Sequence, residues 1–156
     1  MKKAVFSIIA VWVAITFSLV IYNEAVFVFG KEITLKVRPI DPRDFLRGDY
    51  VALGYEINKA PKTSPYIYGD GYVLLKENNE GIYEIKKVSK NKPQKGEIYI
   101  KAKIKGKNIE YPSIQKYFTK TQLAKKLEKD LIKGGYAKIS LTKNGSARIK
   151  EITLKK

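Results

Sequence analysis

The chain of 156 residues contains no cysteine and no histidine. The absence of cysteine excludes disulfides, thiol catalysis and metal sites built on thiolates. The absence of histidine removes the commonest general base and the commonest nitrogen ligand for transition metals. Hydrolases that use a Ser-His or Cys-His pair are therefore excluded. We predict no catalytic residue, no cofactor and no metal site.

Acidic residues are scarce in the second half of the chain. The formal charge of +16 arises from 31 Lys and Arg against 15 Asp and Glu. Residues 31–75 carry seven basic and six acidic side chains, whereas residues 76–156 carry 22 basic and eight acidic ones. Such an asymmetry is typical of a protein that binds a polyanion. Because 27 of the 31 basic residues are lysine, an AT-rich coding background is an alternative explanation.

The N-terminal segment lacks charge over a long stretch. Two lysines, Lys2 and Lys3, precede 19 uncharged residues (4–22), which as a helix would extend about 28 Å, near the thickness of a bilayer core. We predict an uncleaved anchor over residues 1–30, because no convincing cleavage site follows; a cleaved secretory signal and a buried helix are the alternatives. The lysines place the N terminus in the cytoplasm and residues 31–156 outside the cell membrane, as a single-pass protein.

Alternating apolar residues predict strands through most of residues 31–156. The connections NNE and Asn144-Gly145 predict two hairpins. The expected fold is mainly β (α+β), with a transmembrane helix followed by a small β-barrel or sandwich-like domain that carries one amphipathic helix. The predicted strands are EITLKVR (32–38), YVALGYEI (50–57), GYVLLKE (71–77), GIYEIKKV (81–88), EIYIKAKIK (97–105), YAKISLT (136–142) and SARIKEITL (146–154).

One segment has helical periodicity. Leu123, Leu127 and Leu131 lie on one stripe of a predicted helix, and Gly134 or Gly135 is expected to end it in a left-handed conformation. The lysines around the stripe are compatible with a membrane or nucleic-acid surface, but packing of the leucines on a sheet is the preferred interpretation.

The longest predicted loop is NKAPKTSPYIYGDG (58–71), with two prolines and two glycines. Its tyrosines, Tyr66 and Tyr68, together with Tyr72 just beyond it, form either a contact surface or an ordinary strand edge. Strand-edge packing is preferred.

A dense charged turn, RPIDPRDFLRGDYV, joins the first two predicted strands. Three arginines and three aspartates crowd around two prolines and a glycine there. They form either a structural network of ion pairs or a docking surface, and nearby arginines disfavour a cation site. The candidate residues of this loop and of the strand after it are Arg38, Asp41, Pro42, Arg43, Asp44, Arg47, Gly48, Asp49, Tyr50, Leu53 and Tyr55.

The stretch VRPIDPRDFLRGDYVALGYEI resembles the GDYXXLXY family, because GDYVALGY matches the motif for which the family is named. The segment from Asn108 to Leu154 is similar to the later half of that family, although TKTQLAKKLE replaces a segment that usually contains glutamate and glycine. The resemblance implies a membrane-anchored protein of unknown function, often encoded beside an uncharacterised multi-span membrane protein.

RGDYVALGY and IYEIKKVSK also resemble parts of membrane-bound signal peptidases. However, Ile40 occupies the position of their nucleophilic serine, and Lys86 or Lys87 without that serine cannot form an acyl-enzyme. We therefore predict a non-enzymatic interaction protein, an accessory subunit of a multi-span membrane protein. The alternative is an extracytoplasmic binder of anionic lipid or an envelope polymer through the lysine-rich half. No nucleic-acid partner is predicted.

Overall fold

A computed structural model describes residues 2–38, 50–119, 127 and 129–154 of the chain. One long helix, α1 (Lys2–Phe29), precedes ten strands, and a 3₁₀ turn (Glu56–Asn58) follows the third strand. The strands are β1 (Lys31–Arg38), β2 (Tyr50–Ala52), β3 (Gly54–Tyr55), β4 (Ile67–Glu77), β5 (Tyr83–Ser89), β6 (Tyr99–Gly106), β7 (Asn108–Glu110), β8 (Lys116–Phe118), β9 (Gly135–Leu141) and β10 (Ala147–Leu154).

The prediction of a single-pass N-terminal anchor is wrong. In the described part of the chain, no helix combines the length and the apolar character that crossing a membrane requires.

The strands form three antiparallel sheets. The first sheet has the order β10-β9-β1-β3, and the second pairs β2 with β8. The third sheet has the order β5-β4-β6-β7. Side chains of both four-stranded sheets enter one hydrophobic core, to which β1 contributes Leu35 and Val37 and β6 contributes Ile100 and Ile104, all of them buried.

The prediction of a transmembrane helix followed by a small barrel or sandwich-like domain is wrong. The described strands form three separate sheets, which do not close into a barrel. Closure requires continuous hydrogen bonding from strand to strand around the fold. Among the described residues, the isolated bridges Thr34–Ile82 and Lys59–Asn108 each join a strand residue to a residue outside the strands, and the four-stranded sheets keep their own edges. The mainly β character that the sequence predicts is observed.

The predicted hairpins are present. β4 pairs with β5 around the NNE connection, and β9 pairs with β10 around Asn144-Gly145. Gly145 has a φ of +79°, which glycine adopts without strain. The alternation in β6 is also as predicted, since Ala102 and Ile104 are buried between exposed lysines.

The predicted helix near the C terminus is described in its last turn. Leu127 and residues 129–131 are helical. Leu131 is buried in the core and Leu127 packs against it, as the leucine stripe predicts, while Leu123 lies outside the described residues. The turn ends at Gly134, whose φ is +89° and whose amide donates to the carbonyl of Leu131 over 2.8 Å.

The predicted long loop is shorter than expected. β4 begins at Ile67 rather than at residue 71, because the segment that contains Tyr68 pairs with the end of β6. The remainder is fixed by hydrogen bonds, including one from the amide of Ala60 to the carbonyl of Lys107 over 2.9 Å. The two short strands β7 and β8 were not predicted.

Candidate functional site

The structure describes four of the eleven candidate residues. Arg38 lies exposed at the end of β1, Tyr50 begins β2, Leu53 follows β2 and Tyr55 ends β3. The role of the charged loop as a docking surface or a structural corner stays a prediction. The candidates outside the described residues are Asp41, Pro42, Arg43, Asp44, Arg47, Gly48 and Asp49.

The second tyrosine of the motif, Tyr55, holds two distant segments together. Its ring is fully buried, and its hydroxyl donates to the carbonyl of Ile114 over 2.7 Å. Burial raises the pKa of Tyr55 well above its ordinary value near 10. Close by, the amide of Leu53 donates to the carbonyl of Gln115 over 2.8 Å. The motif is thereby fixed to residues far along the chain.

A second buried tyrosine, Tyr111, makes a hydrogen bond between the same two segments in the opposite direction. The buried Tyr111 donates from its hydroxyl to the carbonyl of Ile57 over 2.7 Å, and burial raises its pKa. Between the two rings, the side-chain amide of Asn58 donates to the carbonyl of Ile109 over 2.6 Å and accepts from the amide of Tyr55. We call Tyr55, Tyr111 and Asn58 the tyrosine clasp. Every polar group named here has a partner, so the clasp stabilises the fold and offers no binding site.

The first tyrosine of the motif is more accessible. Tyr50 lies 5.8 Å from Phe118 between ring centroids, in a tilted arrangement on β2 and β8. The ammonium of Lys116 lies 4.7 Å from the centroid of the Tyr50 ring. Phe118 is 72% exposed, which is unusual for a phenylalanine. These three residues form the aromatic edge.

A cavity lies beside the turn that joins β9 and β10. It has a volume of about 700 Å³ and is bordered by the start of β1, the segment before β6 and the end of β9. Four exposed lysines surround it: Lys31, Lys92, Lys95 and Lys143. We call this cavity the basic cleft.

A close contact between two hairpins builds the wall of the basic cleft. The hydroxyl of Tyr99 donates to the carbonyl of Lys143 over 3.1 Å, and the amide of Lys101 donates to the carbonyl of Gly145 over 3.0 Å. A Cβ atom at Gly145 would lie 2.5 Å from the Tyr99 ring. Glycine is therefore required for this approach as well as for its positive φ.

The charges of the basic cleft favour anions. One carboxylate, that of Glu97, lines the cavity and accepts the amide of Gln94 over 2.9 Å. The ammonium of Lys31 also lies 5.4 Å from the centroid of the Tyr83 ring. Ammonium groups around a recess attract phosphate or carboxylate groups, and the described residues contain no group of three or more His, Cys, Asp or Glu side chains suited to a metal ion.

The residues that resemble a signal-peptidase base are in the wrong environment for that chemistry. Lys86 and Lys87 are exposed on β5. A lysine that acts as a base needs burial or a neighbouring cation to lower its pKa. Ile40 lies outside the described residues.

Sequence reasoning missed the basic cleft as a site. Its lysines come from the start of β1 (Lys31), the connection between β5 and β6 (Lys92 and Lys95) and the turn between β9 and β10 (Lys143), which the fold brings together. The run NKPQKGE (91–97) was the available signal, since it places two lysines around a proline-containing turn. By itself this run indicates a charged turn and gives no indication of a cavity.

The structure therefore defines a mainly β protein of two four-stranded antiparallel sheets, in which paired buried tyrosines fix a motif segment. The chain belongs to the GDYXXLXY protein family, whose model matches residues 12–152. This match confirms the family resemblance. Neither the curated proteins nor the solved structures include a significant match to the chain.

Proposed function

We propose that this protein is a non-enzymatic binding protein whose basic cleft takes an anionic group of a ligand. The observation that carries the proposal is the set of four exposed lysines around a recess of about 700 Å³. A recess of this size holds a small anionic unit, since ligand pockets commonly measure about 300–1,000 Å³. Glu97 offsets one of the four lysine charges, so the charged side chains that line the recess keep a net charge of +3.

The nature of the lysines sets the expected strength of binding. Each ammonium is a flexible, exposed point charge, so each contributes about 0.5–1 kcal/mol and loses much of it to salt. Phosphate and carboxylate groups should both bind, because lysine lacks the planar fork with which arginine selects between geometries. The expected ligand therefore carries several negative charges.

Replacing Lys92, Lys95 and Lys143 with glutamine tests the proposal. We expect the triple variant to bind tripolyphosphate and digalacturonate about 10- to 100-fold more weakly than the native chain, because three screened charge contacts are lost. Isothermal titration calorimetry at low ionic strength measures the affinities. The same titration near physiological ionic strength should weaken native binding.

A matched control removes charge elsewhere. Lys129 and Lys133 are exposed near the start of β9, whereas the basic cleft lies at its end. The Lys129→Gln, Lys133→Gln variant should retain native affinity within about twofold, since exposed charges at this distance are largely screened. An equal loss in both variants would mean that net charge drives binding and that the cleft is no site. Failure of both tripolyphosphate and digalacturonate to bind would also overturn the proposal.

A second function, docking of a partner protein, is favoured by the aromatic edge. An exposed phenylalanine beside a tyrosine and a lysine resembles the aromatic anchors that carry much of the energy at protein interfaces. The family resemblance implies a multi-span membrane protein as the neighbour, and an accessory role beside such a protein is the proposed form of this function.

Phe118→Ser tests the docking function. The substitution should reduce co-purification of a multi-span membrane protein with the tagged chain by at least about tenfold, because an anchor of this kind contributes about 1.4 kcal/mol or more. Quantitative mass spectrometry after a high-salt wash measures the recovery. Ile132→Ser, at another exposed apolar residue, is the control. Equal recovery with both variants would exclude the aromatic edge as the contact.

A further inference from the structure

Two exposed tyrosines lie at the far end of β6 from the basic cleft. Tyr66 and Tyr68 are 72% and 70% exposed, and they flank Gly106. A Cβ atom at Gly106 would lie 3.4 Å from the Tyr66 ring and 3.4 Å from the Tyr68 hydroxyl. Because glycine has no side chain, the floor between the two tyrosines is flat. We call Tyr66, Tyr68 and Gly106 the aromatic platform.

The platform is held in place before any ligand arrives. The ammonium of Lys107 lies 4.9 Å from the centroid of the Tyr66 ring. The same ammonium donates to the carbonyls of Pro61, Lys62 and Ser64 over 3.3, 2.8 and 2.7 Å, and so fixes the segment that leads into Tyr66. Rings that are already ordered lose little conformational entropy when a ligand stacks on them.

A strip of polar and aromatic pairs connects the platform with the basic cleft. The lysines of β6 at positions 101, 103 and 105 are exposed and share one face of the strand. Their cross-strand neighbours on β4 lie on the same face. The pairs of this polar strip are Tyr72–Lys101, Asp70–Lys103 and Tyr68–Lys105.

The polar strip begins at the wall of the basic cleft. Tyr99, which lines the cleft, is the first residue of β6. Lys101 touches the neighbouring turn, since its Cγ would lie 3.3 Å from a Cβ atom at Gly145. From Tyr99 to Gly106 the strand extends about 24 Å. A linear molecule could therefore lie in the cleft and on the platform at once.

The distribution of charge along this path selects the kind of chain. The basic cleft carries a net charge of +3, whereas the three lysines of the strip are offset by two carboxylates, because Asp70 faces Lys103 and Lys105 binds Glu110 over 2.8 Å. A nucleic-acid backbone carries a phosphate at every repeat, and the carboxylates of Asp70 and Glu110 would repel phosphates that lie along the strip. The ring of Tyr72 already contacts that of Tyr99 edge-on at 5.6 Å, so the strip lacks the series of open rings on which single-stranded bases stack.

A flat membrane surface fits this path poorly as well, because the charges of the basic cleft line a recess.

A sugar chain fits all three parts of the path, which are the basic cleft, the polar strip and the aromatic platform. Hydroxyl groups can bond to both the ammonium and the carboxylate groups of the polar strip, and the C–H faces of sugar rings stack on tyrosine. Carboxylates on some sugars would occupy the cleft.

We propose that the ligand is a linear acidic polysaccharide, which binds a carboxylated unit in the basic cleft and continues along the polar strip to the aromatic platform. This inference rests on the proposed function of the cleft and extends it to the class of ligand. Affinity should therefore rise with chain length until the chain covers about 24 Å.

The test compares oligogalacturonates of increasing length on the native chain and on two variants, by isothermal titration calorimetry. Native affinity should increase at least about tenfold from the dimer to a chain that reaches the platform. In Tyr66→Ala, Tyr68→Ala this gain should disappear while binding of the dimer is unchanged. In the Lys92, Lys95 and Lys143 to glutamine variant, binding of both lengths should weaken. Both tyrosines are exposed, so their loss should preserve the fold.

Each other outcome has a defined meaning. If the dimer binds the native chain but longer chains bind no better, the polysaccharide inference is wrong and the cleft proposal stands. If oligo-dT of matched length or vesicles of anionic phospholipid bind more tightly than the long oligogalacturonate, the ligand is a nucleic acid or a membrane instead. If no oligogalacturonate binds, the polysaccharide inference fails; the response to tripolyphosphate then decides whether the cleft proposal fails with it.

Discussion

Replacing Tyr55 with alanine is expected to lower the free energy of unfolding by about 3–5 kcal/mol. The ring is fully buried, so its removal leaves a cavity, and the carbonyl of Ile114 loses the hydroxyl that donates to it over 2.7 Å. For a chain of this length the midpoint of thermal unfolding should fall by about 6–20 °C. Urea denaturation followed by circular dichroism measures the change.

Two further variants separate the cavity from the hydrogen bond. Tyr55→Phe keeps most of the packing and should cost about 1–2 kcal/mol, because it removes the donor alone. Tyr68→Ala removes an equally large ring from an exposed position and should change stability by less than about 0.5 kcal/mol. If Tyr55→Ala were as mild as Tyr68→Ala, the clasp would not stabilise the fold.

The contributions of Tyr55 and Tyr111 to the free energy of unfolding should also depend on each other. Tyr55 and Tyr111 join the same two segments from opposite sides. The cost of the double phenylalanine variant should therefore differ from the sum of the single costs by about 0.5 kcal/mol or more.

Periodicity was enough to predict the burial of the motif. In YVALGYEI the alternate residues Val51, Leu53, Tyr55 and Ile57 were expected to face inward, and all four are buried. The same pattern did not reveal that β2 and β3 join different sheets. Alternation specifies which face of a strand is buried, whereas pairing depends on a partner far along the chain.

Two short strands, β8, which pairs with the motif strand β2, and β7, which pairs with β6, were missed for a physical reason. β7 and β8 have three residues each, which is too short for alternation to stand out from an irregular segment. They form because the tyrosine clasp holds residues 109–115 against the motif. Such long-range pairing is decided by tertiary contacts.

Periodicity in the sequence also could not predict the proposed binding path, which runs from the basic cleft to the aromatic platform. The exposed face of β6 was predictable from its alternating lysines, but the recess beside it forms only when the turns at residues 92–97 and 142–146 approach each other. The sequence left two interpretations of Tyr66, Tyr68 and Tyr72, a contact surface or strand-edge packing, and strand-edge packing was preferred. Tyr72 does pack edge-on against Tyr99, whereas Tyr66 and Tyr68 are highly exposed.

Stability should fall steeply above pH 10 because both tyrosines of the clasp are buried. Burial raises the pKa of Tyr55 and of Tyr111 in the folded state, whereas both groups titrate near pH 10 in the unfolded chain. Below about pH 10 each is protonated in both states, so its contribution is fully present. Above that pH the unfolded state alone releases protons, and stability is lost as the pH rises toward the folded pKa.

The magnitude follows from proton linkage. Each tyrosine should lower the free energy of unfolding by about 1.4 kcal/mol per pH unit, so that the pair contributes a slope of about 2.7 kcal/mol per unit. Lys36 and Lys138 act in the same direction, since the hydrogen bonds that they donate to Glu56 and Glu151 raise their pKa. Both lysines are exposed, so their share is small.

Urea denaturation between about pH 9 and pH 12 measures this slope. Tyr55→Phe removes one buried titrating group and should reduce the slope by about 1.4 kcal/mol per pH unit, although the variant is less stable at neutral pH. Equal slopes in the native chain and in Tyr55→Phe would mean that Tyr55 ionises as readily in the folded state as in the unfolded state, which a ring without access to water cannot do.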